Sequence, residues 1–215
     1  MSVRIHPTAN VESGVELGPG TSVWDNVHIR RDTKIGAECI VGGKSYIAYE
    51  VLIGNRVKIN SNCYICTAVT IEDGVMISAG TIFTNDRFPR ATTSDLKTLR
   101  DSAPDEHTLP TLVRAGATIG AGCIIGNDLE IGQFAMVGMG SIITKTVLPF
   151  HLVLGQPART VGCVCRCGEP ILKWSENPAA DEREEIACSA CGLKYAIHSR
   201  NITELTPPDE QGAAL

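Results

Sequence analysis

Ile47-Ala48-Tyr49-Glu50-Val51-Leu52-Ile53-Gly54-Asn55-Arg56-Val57-Lys58-Ile59-Asn60-Ser61-Asn62-Cys63-Tyr64-Ile65 repeats one apolar position every six residues. Read outward, the same phase runs through Ile5, Val11, Leu17, Val23, Ile29, Ile35 and Val41 on one side and through Ile71, Ile77 and Phe83 on the other. It resumes at Val113, Ile119, Ile125, Ile131, Val137 and Ile143. With about one residue in four Ile, Val, Leu or Phe, fourteen consecutive hits in one phase have a chance probability on the order of 10⁻⁸. A period of six matches neither the 3.6 of a helix nor the 2 of a strand. It fits a chain that makes a short strand, bends and repeats, three units closing one triangular coil of eighteen residues; hexapeptide periods mark parallel β-helices.

The neighbouring positions support the coil. Four residues after the marker stand Val15, Thr21, Val27, Thr33, Cys39, Ser45, Val51, Val57, Cys63 and Val69, small or β-branched side chains suited to a narrow interior. One residue after it, Gly recurs at 18, 36, 42, 54, 120, 126, 132 and 138, and is expected to supply the conformations of tight corners. Residues 3–83 and 113–148 make roughly six and a half coils, each rising about 4.8 Å, with open edges only at the two ends.

The chain has 215 residues, room for one large core and a small appendage. Its net charge of −5 argues against a nucleic-acid partner. No apolar run approaches the ~18 residues of a membrane span, and Met1-Ser2-Val3-Arg4-Ile5-His6 has no secretory apolar region. With nine scattered cysteines, the expected setting is reducing and cytoplasmic.

The repeat breaks three times. Residues 84–112 are polar, contain Pro89, Pro104 and Pro110, and read as a structureless functional loop thrown out of one corner, since the phase afterwards is kept. At Pro149 the coils end, and Gly155-Gln156-Pro157-Ala158-Arg159 reads as the turn that leaves them. The organisation expected is thus a β-helix domain over 1–162, a cysteine-rich tail over 163–205 and a disordered end over 206–215. In the tail, Cys165-Arg166-Cys167-Gly168 and Cys188-Ser189-Ala190-Cys191-Gly192 form two knuckles twenty residues apart. Cys165, Cys167, Cys188 and Cys191 are the candidate ligands of a structural zinc, with Cys163 a substitute for one of them and reduced free thiols the alternative. Cys39, Cys63, Cys66 and Cys123 read as core.

Three segments resemble the left-handed β-helix acyltransferases of the hexapeptide-repeat superfamily: Val23-Trp24-Asp25-Asn26-Val27-His28-Ile29, Phe83-Thr84-Asn85-Asp86-Arg87-Phe88-Pro89-Arg90-Ala91, and Gly138-Met139-Gly140-Ser141-Ile142-Ile143-Thr144-Lys145 with the Gly155–Arg159 exit. Residues 1–162 are similar to the branch that N-acetylates nucleotide-linked amino sugars, of UDP-2-acetamido-3-amino-uronate and dTDP-3-amino-3,6-dideoxyhexose type. The resemblance implies a left-handed coil, a homotrimer with active sites between adjacent prisms, acetyl-CoA as co-substrate, and a dTDP- or UDP-linked amino sugar as acceptor for surface glycan synthesis. Some relatives also carry a similar zinc-ribbon-like tail. Some uronic-acid members have an acidic residue near Thr67, which this chain lacks; its loop start leans toward the dTDP-3-amino-sugar members.

The chemistry is attack of a sugar amine on a thioester, for which positioning and oxyanion stabilisation matter more than a strong base. Asn85 is the candidate to orient the amine, the alternative being a turn-capping Asn. His28 is the candidate general base, against a structural histidine, with His107 a weaker candidate. Asp86 and Arg87 are candidate substrate contacts. Lys145 and Arg159, with Gly138 in the same family segment, are candidate coenzyme contacts, and His6, His151 and His198 read as structural or solvated. Competing functions are an O-acetyltransferase, which needs a stronger base, and a carbonic-anhydrase-like scaffold trimer.

Overall fold

The structure is a computed structural model that describes residues 2–208. The expected disorder of 206–215 falls for residues 209–215 outside the described residues. Two- and three-residue strands wind into three parallel sheets, one per face of a prism. Arg4–Ile5, Ser22–Val23, Ile40–Val41, Lys58–Ile59, Met76–Ile77, Thr118–Ile119 and Met136–Val137 stack on face A. Asn10–Val11, His28–Ile29, Tyr46–Ile47, Tyr64–Ile65, Ile82–Phe83, Ile124–Ile125 and Ile142–Ile143 form face B. Glu16–Leu17, Lys34–Ile35, Leu52–Ile53, Val69–Ile71, Thr111–Val113 and Leu129–Ile131 form face C. Within the regular coils partners are eighteen residues apart, as in Tyr46↔Tyr64 and Lys58↔Met76, and across the insertion forty-two, as in Ile82↔Ile124, so each residue stands directly above its counterpart one coil below.

The repeated apolar position fills the prism. From Val23 onward nearly every marker is buried, and so is the small position, from Thr21 to Val69. The polar members of that small column are satisfied by coil backbone: Thr21 and Thr33 hydroxyls donate to Gly36 O and Ala48 O at 2.7 Å each. Cys39, Cys63, Cys66 and Cys123 are core residues, and burial pushes the Cys66 thiol up to about 12.

The glycines after the marker have a different cause from the expected one. The left-handed backbone conformation falls two residues later, at Asn26, Asp32, Glu38, Lys44, Glu50, Arg56 and Asn62. Gly42 is needed for closeness instead: a Cβ there would lie 2.6 Å from the Asn60 carbonyl carbon of the next coil. Corner and close approach are thus separate positions of the hexapeptide.

The insertion is not structureless. Asp86 bridges Thr108 and Thr92 bridges Leu99, so 84–110 folds as an irregular hairpin, and Thr111 already belongs to a strand. The prism continues directly beneath it, with Ile82 paired to Ile124.

The two ends differ. At the N-terminal end Ile5 is 47% exposed. At the C-terminal end His151–Gly155 extends face A in parallel, Ala158–Val164 and Pro170–Lys173 add to it as antiparallel strands, and Ala158–Val164 crosses the boundary expected at 162. Phe150, Cys165, Cys188 and Tyr195 pack as a second core with Phe134 of the last coil, so the tail caps the prism. Among the described residues no helix is long and apolar enough to cross a membrane.

Candidate functional site

The eighteen-residue rise makes a vertical edge of every corner. Tyr49, Thr67 and Asn85 are one coil apart at the corner after face B, and the pairings of Phe83 with Ile125 and Ile125 with Ile143 carry that edge on to Asn127 and Lys145. The hairpin leaves the prism at this edge and folds back over it. Tyr49, Thr67, Asn85 and Asp86 form the floor, and Arg90, Arg100–Asp105 and Thr108 the wall, of a cleft of about 110 Å³. The wall is tied down by the Tyr49 hydroxyl, which donates to Ser102 O at 3.4 Å, and by Arg100, which donates to Phe88 O and to Asp105 Oδ2 at 3.3 Å each.

Asn85 is half-buried in this floor. Its Nδ2 donates to Thr67 O at 3.3 Å, while its own backbone carbonyl accepts Leu109 N–H at 2.8 Å. The first bond fixes which way the amide faces: with nitrogen toward Thr67, the side-chain carbonyl is turned from it. Thr67 is itself held, its hydroxyl donating to Tyr49 O at 2.8 Å. Thr67 therefore orients Asn85 through its backbone carbonyl, which any residue type supplies.

The other candidates separate. Asp86 lines the cleft, with Oδ1 accepting Phe88 N–H at 2.9 Å. Arg87 lies outside the cleft lining, 4.0 Å from Asp128 and with its guanidinium 5.6 Å from the Phe88 ring centroid. His107 packs edge-on to Phe88 in the hairpin base. His28 stands on face B, in the column of Tyr46, Tyr64 and Ile82, three coils and so about 14 Å along the axis from the level of Asn85. Within one chain the structure does not bring His28 and Asn85 together.

His28 belongs instead to a polar group around Glu12. His28 Nε2 is 2.8 Å and Arg30 Nε 2.7 Å from Glu12 Oε1, while Arg31 N–H donates to Oε2 at 2.9 Å. Arg30 also donates to the Tyr46 hydroxyl at 2.8 Å. The Arg31 N–H, the His28 ring and Arg30 together hold the Glu12 carboxyl down at about 2. A carboxyl lowered by folding contributes stability above its unfolded pKa and loses it as pH falls through the folded value. The Glu12→Gln variant is therefore expected to lose less of its melting temperature between pH 5 and pH 2 than the parent chain; equal losses in thermal melts would show that the network contributes nothing.

Lys145 and Arg159 do meet. They line a cleft of about 230 Å³ with Thr144, Thr146 and Thr160 at the C-terminal end of the prism, two coils, or about 10 Å, above Asn85 on the same edge. Gly138 is not part of it. It stands at the edge after face A, under Leu154 Cδ2, which occupies the space a Cβ would need.

In the tail, the sulfurs of Cys165, Cys167, Cys188 and Cys191 all lie within 4.8 Å of one another, with Cys165–Cys191 at 3.4 Å and Cys167–Cys188 at 3.7 Å. Cys163 is outside this group, fully buried, its thiol pushed up to about 11 by that burial. Sequence reasoning missed Tyr49, Arg90 and Arg100. Tyr49 was accessible through the eighteen-residue spacing to Thr67 and Asn85, whereas nothing in the sequence places Arg90 and Arg100 opposite that column.

A protein-family profile described as bacterial transferase hexapeptide (six repeats) matches residues 50–85. The chain is 36% identical over 95 residues to dTDP-3-amino-3,6-dideoxy-alpha-D-galactopyranose 3-N-acetyltransferase of Aneurinibacillus thermoaerophilus, covering 44% of this chain and 45% of that protein. It is 31% identical over 167 residues to the bifunctional protein GlmU of Acidithiobacillus ferrooxidans, covering 74% of this chain and 31% of that one. The chain thus spans less than half the length of these curated relatives. Among solved structures, the hexapeptide-repeat containing acetyltransferase VCA0836 of Vibrio cholerae aligns at TM-score 0.48 and 23% identity, over 60% of this chain and 72% of that one. The profile falls on the very coils whose six-residue beat builds the prism and ends on Asn85, so residues 50–85 are similar to the hexapeptide repeats of bacterial transferases.

Proposed function

We propose that this protein transfers the acetyl group of acetyl-CoA to the amine of a nucleotide-linked amino sugar, at the edge that carries Asn85. The observation that carries the reading is the Asn85 amide in the floor of the hairpin cleft, its nitrogen engaged by Thr67 O and its carbonyl left to accept an N–H. The similarity to a dTDP-amino-sugar 3-N-acetyltransferase names the substrate class and supports the 3-amino position.

In this reading the Asn85 carbonyl accepts one N–H of the uncharged amine and so aims its lone pair at the thioester carbon. The N–C bond forms, the carbonyl oxygen gathers charge, the C–S bond breaks and coenzyme thiolate leaves. The surplus amine proton neutralises that thiolate. Holding amine and thioester in attack geometry is the main contribution. Asp86 faces the sugar. Lys145 and Arg159 supply the two cations that match coenzyme phosphates, and their level on the edge sets the acetyl donor toward the C-terminal end and the sugar toward the hairpin.

The active unit is a homotrimer. Face B presents Tyr64, Ile82 and Ile124 as one apolar column, each about 40% exposed, which suits burial against a neighbouring prism, whereas exposed Lys58 interrupts face A and Glu16 and Lys34 interrupt face C. His28, on face B, then works from a neighbouring chain or serves the Glu12 network.

The four tail cysteines hold a structural zinc. Zn–S bonds of about 2.3 Å in a tetrahedron put sulfurs about 3.8 Å apart, close to the two separations found. Zinc supplies folding energy to the cap and takes no part in acyl transfer.

The test is coenzyme thiol release from acetyl-CoA against a panel of dTDP- and UDP-linked 3-amino and 4-amino sugars. Turnover is expected with at least one 3-amino sugar nucleotide. Release with none of the panel ends the proposal.

A further inference from the structure

The corner after face A carries a second groove, of about 380 Å³, that the acyl-transfer edge does not use. Its wall is Trp24, a large hydrophobic residue left 44% exposed. One face of that indole is taken: the Arg4 guanidinium lies 4.6 Å from the ring centroid, from the coil below. The groove lies on the other side, built from the coils above: Ile40, Gly42 and Gly43, then Asn60 and Ser61. Gly42 and Gly43 are buried and leave a floor of bare backbone beside the ring. A side chain at 43 would run into Asp25 Oδ1, 2.6 Å from a Cβ there.

The rim is polar and unengaged. Among the described residues the Asn60 amide and the Ser61 hydroxyl make no hydrogen bond to the protein, their backbone groups alone being used. A flat aromatic wall, a floor without side chains, and a neighbouring amide that both donates and accepts are the elements that recognise a planar heterocycle with alternating donors and acceptors. Ring stacking supplies affinity and the amide reads the edge.

We infer that the groove beside Trp24 is a nucleobase-binding slot, in which the base stacks on the free face of the indole and Asn60 pairs with its edge. The inference deepens the proposed function, because both the sugar nucleotide and coenzyme A carry a base. A pyrimidine and an adenine share this chemistry, and the experiment separates them.

The chain has two tryptophans, so a Trp174→Phe background leaves Trp24 as the sole tryptophan reporter. The full chain is titrated with dTMP, UMP and adenosine 3′,5′-diphosphate, following tryptophan emission and, in parallel, heat of binding. Saturable quenching is expected with one class of nucleotide. A pyrimidine response assigns the slot to the sugar nucleotide, and an adenosine response to the coenzyme. Trp24→Ala should weaken that binding about tenfold or more, and Asn60→Leu, which keeps the stacking wall, severalfold.

Emission that stays constant while calorimetry reports nucleotide binding overturns the slot, as does unchanged affinity in a Trp24→Ala protein that melts like the parent. If the alanine variant does not fold, the emission titration of the Trp174→Phe protein decides alone. Thiol release measured on the same preparations separates the two claims. Turnover with a silent Trp24 sinks the slot and leaves acyl transfer standing. Quenching without turnover does the reverse, and the absence of both nucleotide binding and turnover overturns both.

Discussion

Asn85→Ala is expected to lower kcat for acetyl transfer by about a hundredfold, the loss that follows when a reacting group is held but no longer aimed. KM for acetyl-CoA should stay within about twofold, because Lys145 and Arg159 lie two coils away along the edge. Folding should survive, since the tie that closes the hairpin base uses the Asn85 backbone carbonyl and Leu109 N–H. Asn85→Asp is the sharper variant. It keeps the accepting oxygen but places a carboxylate oxygen against Thr67 O where Nδ2 now donates, so the side chain must turn and kcat should fall with it. Steady-state kinetics on a reactive amino-sugar nucleotide, with a melting curve for each variant, checks both. A kcat within threefold of the parent for Asn85→Ala removes Asn85 from the reaction and leaves it a turn residue.

Removing zinc is expected to be the largest single insult to the cap. Metal analysis should find one zinc per chain, and Cys188→Ser should abolish it. Structural zinc contributes on the order of 10 kcal/mol in small cysteine sites, whereas the apolar cluster around Phe150 and Tyr195 has few members. A chelator should therefore open the tail from Cys165 onward to proteolysis while the prism persists. The strand Ala158–Val164 joins Arg159 to the first cysteine knuckle, so affinity for acetyl-CoA should weaken as well. A chain with no zinc, or one whose tail resists protease equally with and without chelator, sinks the assignment.

The coil was legible in the sequence because a solenoid satisfies each residue locally: Ile59 stacks between Val41 and Ile77, and each of these requires of its neighbours what Ile59 does. The four tail cysteines were legible for a similar reason, their chemistry lying in two short knuckles. The cleft was legible only in part. Asn85 could be picked out because the repeat stops there, but Arg100 reaches Asp105 and Phe88 through a hairpin whose path no period describes. His28 could be picked out by residue type, but its partner could not: Glu12, from the coil below, bonds its Nε2. The glycines after the marker were located correctly and explained wrongly, because the crowding that forbids a Cβ comes from the adjacent turn of the coil, not from the chain's own bend.

The hairpin departs and returns at one corner, and the rungs above and below it close on each other as Ile82 and Ile124 do. Its length is therefore a free variable for the scaffold: the segment can be lengthened, trimmed or exchanged while the core pairs above and below it are kept, which under the proposed function would change the acceptor admitted and leave the donor end intact. Grafting a relative's segment between Thr84 and Thr111 is accordingly the natural first route to a transferase of altered acceptor range.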